Sequence, residues 1–143
     1  MLRAPMTAAI TAGLMLSACA TTGSGSSSAD TASVTALQAG EWRVENIAGA
    51  GVIDNSLATL LFGPEGRLSG NASCNRLIAN YTVEGSRLTI SPAGTTMMAC
   101  PPALMDQERK LVDLIGMVTR YSIDRTGKLT LTSASGKSIV ARR

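Results

Sequence analysis

From Glu41 to the C-terminus the apolar residues fall into short runs, each ended by a Gly-, Pro-, Asn- or Asp-containing turn, and this punctuation constrains the fold more than any other feature. Glu41–Ile47 opens the series with Trp42 and Val44 on one face, and Gly49-Ala50-Gly51 ends it. Leu57–Phe62 is more continuously apolar and stops at Gly63-Pro64-Glu65-Gly66, residues suited to a tight reversal. Arg67–Asn71 is its return strand, and Leu77–Val83 comes next. Glu84-Gly85-Ser86 then turns the chain into Arg87–Ile90, where apolar and polar residues alternate strictly. Thr95–Ala99 reads as a further strand. Arg120–Asp124, Lys128–Thr132 and Lys137–Ala141 close the series, separated by Arg125-Thr126-Gly127 and Ser135-Gly136, which are hairpin chemistry.

One helix interrupts this pattern. Pro101-Pro102 opens it, since first-turn N–H groups have no helical partner to lose. Leu104, Leu111, Leu114, Ile115 and Val118 then recur at spacings of three, four and seven, a stripe able to pack on a sheet. Asp106 with Lys110, and Arg109 with Asp113, are placed for i,i+4 charge pairs on the opposite side. About eight strands with one helix before the last three give no βαβ alternation, so a parallel doubly wound sheet is excluded. Closure removes exposed strand edges, so the expectation is a mainly β fold: a small antiparallel barrel whose mouth the helix plugs or flanks. A barrel of eight strands is just wide enough for side chains to fill it. Trp42, Leu60, Phe62, Leu88, Ile90, Leu129 and Leu131 are the expected filling.

Ahead of the barrel, residues 1–18 read as a lipoprotein signal peptide. Arg3 and the free amine give a positive start, Ala8 to Leu16 an apolar stretch too short to span a bilayer, and Ser17-Ala18 the small residues beside a cleavage point. Leu16-Ser17-Ala18-Cys19 resembles the bacterial lipobox, which implies cleavage before Cys19 and acylation of its sulfur and amine. Several acyl chains together make a stable anchor. Residues 19–36 carry the lipidated Cys and a Thr/Ser/Gly/Ala tether whose coil span is roughly 20–25 Å. Residues 37–143 then form one domain. Ala20, where Asp would signal inner-membrane retention, places the expected anchor on the periplasmic side of the outer membrane.

With Cys19 given to lipid, Cys74 and Cys100 remain as an even pair in an oxidising compartment. A disulfide is the expectation, contributing roughly 3–4 kcal/mol by loop closure, with two buried free thiols as the alternative. The pair lacks C-x-x-C spacing, and a chain with no histidine has few further ligands to offer a metal. No metal or other cofactor is expected.

Absence of histidine also removes Ser-His-Asp and Cys-His catalysis. Lys110, Lys128 and Lys137 sit on a helix face or hairpin flanks as surface lysines, and the carboxylates border turns or the polar helix face, so no catalytic residue is assigned. The net charge of +3 is dispersed, and one Trp, two Tyr and one Phe make no stacking platform, so nucleic acid is not an expected partner. Met97 and Met98, adjacent in an extended segment, are read as packing residues of which only one faces the core. Asn75 offers donor and acceptor and Arg76 a planar fork of donors; together with Thr95 and Thr96 they form the candidate binding surface, the competing reading of Asn75 being a capped turn.

Trp42, the strand ending in Phe62, Gly66-Arg67-Leu68-Ser69-Gly70, Cys74-Asn75-Arg76, Tyr81 and Thr95-Thr96-Met97-Met98-Ala99-Cys100 together resemble the META domain family, which includes the HslJ-type heat-shock-associated bacterial lipoproteins. The chain carries Ser73 and Ala79 where the family usually has glycine, a departure bearing on backbone φ and on no reactive group. The resemblance implies a lipocalin-like barrel and an association with envelope stress or antibiotic resistance, and implies no enzyme. The expectation is therefore a monomeric, non-enzymatic, membrane-anchored interaction module with an envelope protein as partner. A calyx-type carrier of a small apolar ligand and an inhibitor-like or chaperone-like loop surface are the alternatives.

Overall fold

The computed structural model describes residues 34–143, so the signal peptide, Cys19 and most of the tether lie outside the described residues. A short helical segment at 34–38 precedes the first strand and takes in residues 34–36, which the sequence had placed in the tether. The strands are β1 (Glu41–Ile47), β2 (Ala50–Gly51), β3 (Thr59–Phe62), β4 (Arg67–Asn71), β5 (Arg76–Glu84), β6 (Arg87–Ile90), β7 (Gly94–Thr95), β8 (Val118–Ile123), β9 (Leu129–Ser133) and β10 (Ser138–Arg142). Helix α1 (Pro102–Ile115) stands between β7 and β8, before the last three strands.

Eight of the strands close an antiparallel ring in the order β1-β3-β4-β5-β6-β8-β9-β10, sealed by the pairing of β10 with β1. The two-residue strands β2 and β7 lie outside the ring, on β1 and β5. Alternation decides which side chains enter. Along β5 the burial runs exposed, buried, exposed, buried from Arg76 to Tyr81, and along β6 Leu88 and Ile90 turn inward while Arg87 and Thr89 turn out. All seven residues expected to fill the barrel are buried, joined by Leu68, Leu77, Tyr121 and Ile139. At Gly70 the two strands cross closely: a Cβ there would stand 2.8 Å from the Thr59 carbonyl carbon and nearer still to its oxygen.

The ends differ. At one end, which carries the 63–66, 85–86 and 124–128 connections, the 34–38 segment covers the mouth. Leu37 is buried, the Trp42 indole donates to its carbonyl (2.8 Å), and the Arg143 guanidinium sits 4.5 Å from the Trp42 ring centre. At the other end α1 closes the barrel with Leu111, Leu114 and Ile115. Val118, expected as the last residue of the helical stripe, is instead buried as the first of β8, because the helix stops at Gly116. The helix-face charge pairing also differs from expectation. Arg109 pairs with Asp106 one turn back, and neither Lys110 nor Asp113 has an ion pair among the described residues.

The expected strand Thr95–Ala99 is corrected: only Gly94–Thr95 pairs with β5, and the chain then leaves the sheet toward Cys100. Met97 and Met98 are accordingly 97% and 57% exposed rather than packed, since no sheet continues there to give one of them an inward face.

Candidate functional site

Four segments distant in sequence meet at the helix-closed end: the 52–58 and 72–75 loops, the 96–100 segment, and the first two turns of α1. Ala72 to Asn75 is a tight loop between β4 and β5, closed by the Ala72 N–H donating to the Asn75 carbonyl (2.7 Å) and by the Ser73 N–H donating to Asn71 Oδ1 (3.0 Å). Ser73 takes φ 132°, a conformation that favours glycine, the residue that the sequence resemblance implied for this position. Its hydroxyl accepts from Gln107 Nε2 at 2.6 Å, a bond glycine cannot make. Ala79, the other departure, pairs regularly with Leu68 in the ladder.

Cys74 and Cys100 are joined by a disulfide, their α-carbons 6.4 Å apart, which ties this loop to the segment leading into α1. Asn75 makes a second tie. Only 1% exposed, it accepts the Met98 N–H (2.6 Å) and the Thr96 hydroxyl (3.0 Å) at Oδ1, and donates from Nδ2 to Glu108 Oε1 (2.9 Å) and the Met98 carbonyl (3.4 Å). The capped-turn role and the binding-surface role therefore separate. Asn75 holds the surface segment in place from behind, while Arg76, Thr95 and Thr96 lie exposed in front of it.

Glu108 and Gln107 are the residues that sequence reasoning missed. Glu108 is 6% exposed and has no ion pair among the described residues. In place of a counter-ion its carboxylate accepts three N–H bonds: from Asn75 N (2.8 Å) and Cys74 N (3.3 Å) at Oε2, and from Asn75 Nδ2 at Oε1. Gln107 reaches the neighbouring loop, donating to Ser56 Oγ and Ser73 Oγ (2.6 Å each) and accepting the Ile53 N–H at 2.7 Å. The signal was in the helical spacing. Positions 107 and 108 fall three and four residues after Leu104 and before Leu111, on the same face as the apolar stripe, so a polar pair there had to be buried and partnered.

These buried groups satisfy one another, and what the site presents outward is backbone, the polar side chains of Arg76, Thr95 and Thr96, and exposed apolar side chains. The Thr96 N–H donates to the Arg76 carbonyl (3.1 Å), which puts that pair in hydrogen-bonding register. Thr95, one residue earlier, therefore points its own N–H and carbonyl away from β5, along an edge of β7 that no described strand pairs. Beside that edge stand Met97, Met98 and the 63% exposed Ile78.

Comparison with known proteins bears on the whole domain. No curated protein sequence matches the chain. A solved NMR structure matches with a TM-score of 0.62 at 22% identity, over 76% of this chain and 92% of that one. An NMR structure of a protein from Burkholderia xenovorans matches with a TM-score of 0.62 at 17% identity, over 100% of this chain and 98% of that one. A crystal structure of a DUF4847 family protein from Bacteroides vulgatus reaches a TM-score of 0.55 at 12% identity, over 73% and 92% of the two chains. At these identities the likeness is one of fold. The META domain family model matches residues 35–143, which is the barrel with both its closures, and the chain belongs to the META domain family.

Proposed function

We propose that this protein is a non-enzymatic interaction module of the bacterial envelope, anchored by acylated Cys19 on the periplasmic side of the outer membrane and acting through the 94–98 segment on an extended, apolar stretch of an envelope protein. One observation carries the reading: a strand edge unpaired among the described residues and flanked by exposed methionines is tied from behind by a disulfide and by Asn75. An extended peptide can add to such an edge, with backbone hydrogen bonds giving affinity and flexible methionines adapting to its side chains. The partner and the stress association belong to the same reading, in which the tether lets the domain meet proteins close to the membrane.

The calyx-type carrier is disfavoured because Trp42, Phe62 and the Leu and Ile side chains occupy the barrel where a ligand would sit. A photo-crosslinking residue at Met97, tested in intact cells, is expected to give discrete protein adducts. The same residue at Ser135, on the β9–β10 hairpin, is the control. Adducts no more frequent from position 97 than from position 135 would overturn the proposal.

A further inference from the structure

Two pairs of arginines stand directly opposite each other across neighbouring strands, and they are provided for differently. Arg43 on β1 faces Arg142 on β10, where the Arg142 Nε donates to Glu45 at 3.1 Å and Glu41 lines the same surface. Arg87 on β6 faces Arg120 on β8, the only ladder pair that joins those strands, helped by the Tyr121 N–H donating to the Ser86 carbonyl at 3.0 Å. Neither Arg87 nor Arg120 has an ion pair among the described residues, and both are exposed. Like charges directly opposite on one sheet face are destabilising. The β6–β8 seam, distinct from the β10–β1 closure, thus carries a repulsive pair with no ion pair among the described residues.

The two guanidinium groups line a surface depression of about 500 Å3 together with Glu84, Ser86, Thr89 and Thr119. The Thr119 hydroxyl is engaged by the Thr132 carbonyl (3.3 Å), whereas the Ser86 and Thr89 hydroxyls have no bond to the described residues. Glu84 is the cross-strand partner of Arg87, so the depression holds two positive charges and one negative. Arginine presents a planar fork of donors that matches phosphate oxygens two at a time, and two forks on adjacent strands can take opposite sides of one tetrahedral oxyanion.

We propose that Arg87 and Arg120 form a surface site for a phosphate-class oxyanion, supplied either as a free phosphate compound or as a lipid headgroup. The excess positive charge draws the anion, and the anion relieves the repulsion across the seam.

The test uses the full chain carrying Cys19→Ser, so that no acyl anchor contributes, alone and with Arg87→Gln plus Arg120→Gln or with Arg43→Gln. Amide NMR titration with inorganic phosphate covers the free source; flotation with phosphatidylglycerol vesicles in phosphatidylcholine covers the lipid source. Saturable shifts at Thr89 and Thr119, weakened at least tenfold by the double substitution and unchanged by Arg43→Gln, support the site with free phosphate. Vesicle binding alone with the same dependence supports it with the headgroup. Binding in neither arm, or equal weakening by Arg43→Gln, overturns it. Melting curves separate site loss from unfolding: the double substitution is expected to leave the domain folded, with a melting temperature no lower than the parent's, because it removes a repulsive pair.

Discussion

The two ends of the barrel are closed by opposite strategies. At the end of short connections, the turns are closed chiefly by bonds among their own residues, with a few outside ties such as those at the Gly63 and Ser86 carbonyls. The 124–128 turn bonds Asp124 to Thr126, Gly127 and Lys128, and the 63–66 connection returns the Gly63 N–H to the Arg67 carbonyl (2.8 Å). At the helix-closed end, Gln107 and Glu108 reach loops 33 to 54 residues away in sequence, and a disulfide spans 26. Local closure spreads modest energies over independent turns. Long-range closure concentrates larger ones on a few side chains whose loss leaves buried groups without partners.

The sharpest way to break this contrast is Glu108→Ala. It leaves the Cys74 and Asn75 N–H groups without their acceptor and removes one of the two acceptors of the Asn75 amide NH2, and is expected to cost about 3–5 kcal/mol in chemical denaturation, several penalties of roughly 1–3 kcal/mol each, partly relieved by relaxation. Glu108→Gln should cost less, because one carboxamide oxygen can still serve the two backbone donors while its NH2 meets the Asn75 amide unfavourably. Were Glu108→Ala no worse than Glu108→Gln, the carboxylate would not be what holds this end.

Removing the disulfide with Cys74→Ser and Cys100→Ser is expected to cost about 2–4 kcal/mol. Its local signature matters more than its size. Hydrogen exchange should quicken at 72–75 and 96–100 and stay unchanged at 85–86 and 124–128. Uniform quickening would show the two ends to be one cooperative unit.

The same contrast explains what was legible in the sequence. Glu84-Gly85-Ser86 and Arg125-Thr126-Gly127 announce their hairpins because a turn is decided by the residues in it, and the ring of strands follows from their alternation and count. The strand expected over Thr95–Ala99 failed because Asn75 and the disulfide draw Met97–Cys100 away from β5, a pull exerted from another loop. Gln107 and Glu108 fall on the apolar stripe, which signals their burial, but nothing beside them in sequence shows the loops they serve. The structure brings Cys74, Asn75, Arg76, Thr95 and Thr96 together, and the inward role of Asn75 depends on Glu108.

At the opposite end, Tyr81→Phe tests the covered mouth. The Tyr81 hydroxyl donates to the Gly63 carbonyl (2.7 Å) and accepts from Gln38 Nε2 (2.7 Å), while its ring packs edge-on against Phe62, centroids 5.2 Å apart. Phenylalanine keeps the ring contact. The expected loss is about 1 kcal/mol, since water can reach the partly buried groups left behind. A loss matching that of Glu108→Ala would erase the distinction between the ends.

The smallest effect is expected at Asp124, where local closure can be followed by pH. Its carboxyl lies well below the ordinary value of 3.8, chiefly because the Thr126 hydroxyl donates to it (2.7 Å), then through the Lys128 backbone N–H (3.1 Å), with desolvation opposing and the Thr126 N–H adding to the lowering. With the folded pKa depressed, the unfolded chain takes up protons first as the solution is acidified. The contribution of this carboxylate is therefore complete above the ordinary pKa and is lost as pH falls through the folded one. Asp124→Asn should melt slightly below the parent at pH 7. That gap should narrow as pH drops below about 4, where the unfolded parent begins to take up the proton that its folded turn still excludes. Since this group is solvent-exposed and its bonds stay within one turn, the narrowing should leave the exchange rates of 72–75 untouched. A gap that holds constant down to pH 2 would mean that the turn is closed by its backbone geometry alone, with the charge on Asp124 a passenger.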